Sequence, residues 1–264
     1  MLLTIDVGNT GMGLGIWEEE NLRVTWRMAT SISRMSDEYA ALLFPLLYEA
    51  DLKTSDITDV CLCSVVPPLV GTLEEMFKRH FNLTPLVVST GTKTGVRIRM
   101  DNPHEVGADR IVHSMAAHHI YGGPLIIVDM GTATTFDTVS KTGDYTGGAI
   151  APGFQTAAEA LFARTAMLPR VNLLRPGKAI GTNTIAAMQS GIVFGYISLI
   201  EGMVARIQKE LPEKAKVILT GGYTDLIARE TSIIDAVNPN LILIGLRLIW
   251  AMNCLKKTRS ASGT

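Results

Sequence analysis

Short runs of apolar residues, separated by polar turns, divide the first half of the chain into strands and helices. Three strands come first, at residues 2–6, 13–17 and 22–28. A helix follows from Ser36, which is expected to be its N-cap, and Pro45 is expected to end or kink it. The remaining runs predict a strand at 60–66, a helix at 73–81 and a strand at 85–89. This half therefore has the predicted order β-β-β-α-β-α-β.

A second set of elements begins after a helix predicted at residues 107–121 and the breaker cluster Gly122-Gly123-Pro124. Residues 125–129 form another apolar strand that ends in an aspartate. Both strands lead into the order Asp, apolar residue, Gly, polar residue, as in Asp6-Val7-Gly8-Asn9-Thr10 and Asp129-Met130-Gly131-Thr132-Ala133. This similarity predicts an internal repeat with a period near half the chain, with one domain at residues 1–121 and another at 122–264.

The rest of the second half alternates glycine-rich turns with long apolar segments. The predicted elements are a return strand at 136–139, a glycine-rich loop at 147–153, a helix at 183–211, a strand at 217–222 and a closing helix at 240–254. Gly195 and Glu201 interrupt the longest apolar run, so none approaches the roughly 20 residues that span a bilayer. We therefore expect no association with a membrane.

Composition indicates a cytoplasmic protein that does not bind nucleic acid. The 264 residues suit two domains of about 100–150 residues each. The net charge of −1 gives no electrostatic attraction to a phosphate backbone. Three cysteines without a framework spacing indicate a reducing compartment, and Cys61 and Cys63 are expected to pack in the core. The N-terminal sequence lacks the basic region of a signal peptide.

The two aspartate–glycine turns have the chemistry of a phosphate-binding site. Glycine lets the backbone approach a ligand closely, and Asn or Thr side chains together with backbone N–H groups can hold phosphate oxygens. The aspartates repel phosphate, so each must act through a cation or through water. Either turn alone is equally well explained as an ordinary tight turn, whereas two matching turns indicate a clamp for a polyphosphate. The sequence contains no P-loop.

The residues alone leave two interpretations of Asp109 open. An acid in the first turn of a helix is ordinarily a cap or a partner of the helix dipole. A kinase also needs a base near the acceptor hydroxyl, and Asp109 could fill that role while Arg110 holds a substrate carboxylate. The same choice arises for Gly181-Thr182-Asn183-Thr184, whose side chains could cap the following helix or reach a ligand. The histidines around His113 lack the spacing of a metal site.

Five segments, taken in order, resemble those of the type III pantothenate kinases: D-x-G-N-T, N-P-x-x-x-G-A-D-R, D-x-G-T-A-T, G-G-A-I-x-P-G and G-x-N-T. The resemblance covers essentially the whole chain. It implies an α/β fold with two ribonuclease-H-like domains of the acetate and sugar kinase/chaperone/actin superfamily. It also implies phosphoryl transfer from ATP to the primary hydroxyl of pantothenate, which is the first step of coenzyme A biosynthesis. Mg²⁺, a monovalent cation (K⁺ or NH₄⁺) and a homodimer are implied as well.

The resemblance also implies roles for individual residues. ATP would be held by Thr132 and by the first turn, which consists of Asp6, Val7, Gly8, Asn9, Thr10, Gly11, Met12 and Gly13. Asp109 would be the general base within the substrate-binding stretch Gly107, Ala108, Asp109 and Arg110, and Thr184 would contact the substrate from the partner subunit. Asp129 would bind the monovalent cation. Asp6 is expected to hold Mg²⁺, directly or through water, although the sequence leaves open which of the two aspartates does so.

One position departs from the family pattern. The family usually has a tyrosine that contacts pantothenate two residues before the Asn-Pro pair, and this chain has Met100 there. Loss of a hydroxyl contact typically costs about 0.5–1.5 kcal/mol of binding. Weaker pantothenate binding than in relatives with tyrosine is therefore expected.

Two other functions are compatible with this fold. One is a non-catalytic regulatory or binding member of the same family, and the other is a filament-forming, actin-like ATPase. Neither needs an acid–base pair such as Asp109 and Arg110 beside an acceptor pocket, so these residues favour the enzyme.

Overall fold

The computed structural model describes the backbone of residues 1–260 and the side chains of residues 1–254. The first sheet contains β1 (Leu2–Val7), β2 (Gly11–Glu18), β3 (Asn21–Ala29), β4 (Asp59–Ser64) and β5 (Leu86–Val87). They lie side by side in the order β3-β2-β1-β4-β5, with β1 antiparallel to β2 and parallel to β4. The helices of this half are α1 (Ser36–Glu49), α2 (Pro67–Phe81) and α3 (Ala108–Tyr121).

The second sheet repeats this arrangement. Its strands are β6 (Leu125–Met130), β7 (Ala133–Val139), β8 (Tyr145–Pro152), β9 (Lys216–Gly221) and β10 (Ala236–Val237). Their order is β8-β7-β6-β9-β10, with β6 antiparallel to β7 and parallel to β9. The remaining helices are α4 (Phe154–Arg164), α5 (Thr184–Glu210), α6 (Thr224–Ala228) and α7 (Leu241–Ser260). The shared strand order confirms the internal repeat that the two turns predict.

The chain packs into two compact units. The first comprises Met1–Gly95, Asn102–Ala116 and Leu241–Thr264, and the second comprises Val96–Asp101 and Ala117–Asn240. These units show where the chain packs densely, and they do not test which segments fold independently. The predicted division between residues 121 and 122 therefore stays a prediction.

Both faces of the central strands are covered, which explains why their sequences are almost continuously apolar. In β1, Leu3 and Ile5 belong to a core with α1 and α2, whereas Leu2 packs with α7 and β4 on the other face. Cys61 and Cys63 of β4 lie fully buried in this second cluster, so their predicted core position is confirmed. In the second unit, β6, β7 and β9 pack against α4 and α5.

Two local expectations are wrong. Most of residues 147–153 form β8, because pairing with β7 outweighs the weak strand preference of glycine. Gly147, at φ +118°, lies at an irregularity where Thr146 is skipped in the pairing. Met35, and not Ser36, is the N-cap of α1. Pro45 does not end this helix, because the packed face of the helix outweighs one lost backbone bond.

Helix α5 contradicts the expectation that no apolar segment reaches membrane-spanning length. It has 27 residues and is long and apolar enough to cross a bilayer by length and composition. Glycine and a single glutamate do not break it, since both are tolerated in a helix that packs against a core. Eight of its residues, from Met188 to Val204, are buried within the protein, and a core helix of a soluble protein passes the same test.

Candidate functional site

The turn between β1 and β2, here called the Gly8 turn (residues 8–11), is held by one internal hydrogen bond and by two hydrogen bonds from Thr30. The Gly8 N–H donates to the carbonyl of Gly11 (3.0 Å), and Thr30 binds the turn twice. The Thr30 hydroxyl donates to the Gly8 carbonyl (2.7 Å), and its N–H donates to the Thr10 carbonyl (3.2 Å). Asn9 and Thr10 are exposed at the tip. The turn is therefore a rigid backbone loop whose polar residues face solvent.

Asp6 stands at the base of this turn. It pairs with Gly13 of β2 on one side and with Cys63 of β4 on the other, and it is half-buried. Burial raises the pKa of the Cys63 thiol well above its usual range, and the negative charges of Asp6 and Asp109 raise it further. Asp6 and Asp109 are 103 positions apart in the sequence, yet within the first unit both charges act on the pKa of the same buried thiol.

The Asp109 carboxylate lies in the first turn of α3 and folds back over Gly107. Its Oδ1 accepts a hydrogen bond from the Arg110 N–H (2.9 Å). A Cβ on Gly107 would fall 2.4 Å from the same oxygen, so no other residue fits there without a shift. The glycine of the G-A-D-R segment thus makes room for the acid that follows it. Asp109 satisfies a helix N–H as a cap does, while Asp109 and Arg110 both remain partly accessible.

The turn between β6 and β7, here called the Gly131 turn (residues 131–133), is one residue shorter than the Gly8 turn. The flanking pairs are Met130–Thr134 in the second sheet and Val7–Met12 in the first. The Gly131 N–H donates to the carbonyl of Ala133 (3.0 Å). Thr132 lies exposed at the tip. The repeat therefore conserves the strand and the Asp-x-Gly start, but not the shape of the loop.

Asp129 lies against glycine backbone. A Cβ on Gly221, which has φ +89°, would be 2.5 Å from Oδ1, and one on Gly131 would be 4.0 Å from Oδ2. The next N–H, that of Gly222, donates to the Met130 carbonyl (2.8 Å). The Gly221 backbone thus packs directly against the carboxylate, at a distance that a side chain at residue 221 would not allow.

The other predicted site residues are placed as follows. Met100 is half-buried in the second unit, where a Cβ on Gly147 would be 3.4 Å from its sulfur. Thr184 is exposed as the first residue of α5, while Asn183 caps that helix by accepting the Ala186 N–H (2.9 Å). Thr184 therefore does not serve as the N-cap.

Among the described residues, no group of three His, Cys, Asp or Glu side chains could hold a metal ion.

A hydrogen bond from Thr156 and a cavity along α5 are two features of the second unit that the sequence did not predict. Thr156 of α4 donates its hydroxyl hydrogen to the Thr132 carbonyl (2.8 Å), and a threonine inside a predicted helix gives no signal of such a bond. A cavity of about 950 Å³ lies along α5, and Leu161, Ile192 and Leu199 contribute apolar walls to it. Thr184 lies at its edge. The cavity has no sequence signature, because α4 and α5 form it together with the segment between them.

Comparison with known proteins gives a consistent family. Residues 2–206 match the family model described as Type III pantothenate kinase. A protein named Type III pantothenate kinase from Dehalococcoides mccartyi (strain CBDB1) is 55% identical over 252 residues, which is 96% of each chain. Another of that name, from Geobacillus kaustophilus (strain HTA426), is 48% identical over 257 residues, covering 97% of this chain and 100% of the relative.

Solved structures show the fold. A Campylobacter jejuni protein assigned by similarity to the Baf family of transcriptional activators has a TM-score of 0.60 at 20% identity, covering 95% of this chain and 98% of that one. A Sinorhizobium meliloti protein assigned by similarity as a 2-dehydro-3-deoxygalactonokinase has a TM-score of 0.58 at 13% identity, with coverages of 96% and 97%. At such identities the likeness concerns the fold alone, and it agrees with the predicted α/β fold of two ribonuclease-H-like domains.

Proposed function

Because the chain belongs to the type III pantothenate kinase family, we propose that Asp109, the Gly8 turn and the Gly131 turn are the working parts of its active site. The enzyme transfers a phosphoryl group from ATP to pantothenate in coenzyme A biosynthesis. One observation carries the assignment: a Cβ on Gly107, beside the Asp109 carboxylate, would lie 3.9 Å from Val65, whose N–H donates to the Val7 carbonyl at the start of the Gly8 turn (3.0 Å). A phosphate-binding turn beside a carboxylate is what transfer to a hydroxyl requires.

Asp109 is proposed to accept the proton of the pantothenate hydroxyl as that oxygen attacks the γ-phosphorus. The bond from the Arg110 N–H fixes the carboxylate, which favours one orientation toward the acceptor. Catalysis of phosphoryl transfer depends mainly on such positioning and on charge stabilisation. Arg110, next along the same turn of α3, has the guanidinium fork that binds the carboxylate of pantothenate.

The Gly8 turn is proposed to hold the ATP phosphates through residues 6–13, with Thr132 as a second contact. Thr30 braces the turn, so its exposed Asn9 and Thr10 bind without first having to be ordered. Asp6 repels phosphate directly. Its carboxylate oxygens fit Mg²⁺, which prefers oxygen ligands and keeps several waters when few carboxylates are present. The Mg²⁺ would neutralise charge on the phosphates.

Asp129 fits the monovalent cation that the family uses. Its carboxylate lies at the end of β6, directly before the Gly131 turn, and offers oxygen donors to such an ion. The Met130 carbonyl accepts the Gly222 N–H, which holds the end of β6 to the turn after β9. Asp129 would then contribute to binding the phosphates only through the cation.

A homodimer is proposed from the surface of the second unit. Large apolar side chains are exposed on the segment that leads into α5, including Met167 (90% exposed), Leu174 (63%) and Ile180 (83%). Beside them lies the cavity along α5, with Thr184 at its edge. A second copy of the chain would cover this apolar surface and bring Thr184 to the partner's substrate. A cytoplasmic location, without nucleic acid or membrane, is part of the same proposal.

Mixed dimers test the site and the dimer together. As homodimers, Asp109→Asn should be inactive, and Thr184→Val should keep only about a tenth of the wild-type activity, the largest loss expected for one hydroxyl contact. When the two are co-expressed, each mixed dimer carries one doubly altered site and one intact site, so about a quarter of the wild-type activity should return. Each variant purified alone is the control. Absence of any recovery would place Thr184 in its own chain's site, and full activity of Thr184→Val would remove it from the substrate site.

A further inference from the structure

The carbonyl oxygen of Thr132, at the tip of the Gly131 turn, accepts two hydrogen bonds from the start of α4. The Gly153 N–H donates one (3.0 Å), and the Thr156 hydroxyl donates the other (2.8 Å). A peptide whose oxygen is held by two donors at different positions cannot rotate without losing both bonds. The orientation of Thr132 is therefore set from outside its own hairpin.

Close packing at Gly153 makes this contact specific. A Cβ on Gly153 would fall 2.3 Å from the carbonyl oxygens of both Gly131 and Thr132. The backbone at the start of α4 thus lies directly on the turn, which brings the hydroxyl of Thr156, three residues later, within reach of the Thr132 carbonyl. Glycine at this position is required by the approach of two backbones.

The hydroxyl of Thr156 is not used by its own helix. Threonine near a helix start usually bonds to a nearby backbone group of the same helix. Here α4 has Gly153 as N-cap and no side-chain cap bond, and the Thr156 hydroxyl bonds across to the turn instead. Thr156 is exposed and contributes little to the core. A bond of this kind orders the turn more than it stabilises the fold.

We propose that Thr156 is a positioning residue for ATP, holding the Gly131 turn in the conformation that binds phosphate. The proposal rests on the assignment of Thr132 as an ATP contact. Without the Thr156 hydroxyl, the Gly131 turn keeps the hydrogen bond from Gly153 but can adopt more conformations. ATP must then select one of these conformations when it binds, which weakens its binding. The acceptor site is formed by other residues, so pantothenate binding should be unaffected.

Steady-state kinetics of Thr156→Val, with Thr156→Ser and Thr165→Val beside it, test the proposal. Thr165, at the other end of α4, also donates its hydroxyl hydrogen to a carbonyl, that of Leu161 (2.7 Å), and is exposed, so it is a matched control. Thr156→Val should raise the KM for ATP by roughly fivefold, the effect of one neutral hydrogen bond, with kcat and the KM for pantothenate little changed. Thr156→Ser should restore the KM, and Thr165→Val should leave it at the wild-type value.

Several outcomes would overturn the proposal. It is wrong if Thr156→Val matches Thr165→Val in the KM for ATP, or if Thr156→Ser is no better than Thr156→Val. Equal increases in both KM values together with a lowered melting temperature would indicate a purely structural role. Thr132→Ala distinguishes the proposed ATP contact of Thr132 from the proposed positioning role of Thr156. If it leaves the KM for ATP unchanged, the ATP assignment of Thr132 fails; if it raises that KM while Thr156→Val does not, only the positioning role fails.

Discussion

At the scale of single residues, the two roles that the sequence leaves open for Asp109 are compatible. Its carboxylate accepts the Arg110 N–H in the first turn of α3, as an acid at a helix start does. Its charge, like that of Asp6, also raises the pKa of the Cys63 thiol. Capping fixes the carboxylate and therefore suits a base that must be positioned. The helix spacing predicted the cap, but only the pairing of β1 with β4 places Asp6 beside Cys63.

Met100 occupies a position at which the resemblance implies a tyrosine. Met100→Tyr should lower the KM for pantothenate by about two- to tenfold, because a hydroxyl contact contributes about 0.5–1.5 kcal/mol. Steady-state kinetics at saturating ATP measure the effect, with Met100→Leu as a control of similar volume that should keep the wild-type KM. An unchanged or raised KM in Met100→Tyr would show that the missing tyrosine does not weaken binding here.

At the scale of elements, sequence patterns predicted most of the strands and missed β8. β1 and β6 follow from continuous apolar runs that stop near an aspartate, and burial on both faces requires such runs. β8 was missed because Gly147 and Gly148 resemble a loop, whereas pairing with β7 decides their conformation. Bonds from Thr30 and Thr156 to the two turns come from other elements. Local patterns cannot predict such contacts.

The start of α5 depends on one side chain. Asn183→Ala removes the bond to the Ala186 N–H and should lower the free energy of unfolding by about 1 kcal/mol. Urea unfolding followed by circular dichroism measures the change. Asn183→Asp, which retains an accepting oxygen, should stay close to the wild type. If Asn183→Ala were as stable as the wild type, the cap would contribute nothing, and Thr184 would need another anchor.

At the scale of the whole molecule, one arrangement of strands occurs twice, and each copy carries one of the two turns proposed to bind ATP. Each sheet delivers an aspartate at the end of its central strand and follows it with a glycine turn. The turns differ by one residue, and different residues brace them. The fold and the family could be predicted from the sequence, because the repeated turns and the G-A-D-R segment are local. The apolar surface beside α5 could not, since it depends on how α4 and the segment after it fold against α5.

Whether Asp109 is the general base is decided by the rate at which Asp109→Asn transfers a phosphoryl group from ATP to pantothenate. The measurement is made with Mg²⁺, in K⁺ and in Na⁺, and Asp37→Asn is the control because Asp37 is also an acid in the first turn of a helix of the same unit. Loss of a general base should lower kcat by about 100-fold or more with the KM for ATP nearly unchanged, whereas Asp37→Asn should stay active. Activity in K⁺ should exceed that in Na⁺. Equal kcat values for Asp109→Asn and Asp37→Asn would reduce Asp109 to a helix cap and contradict the account.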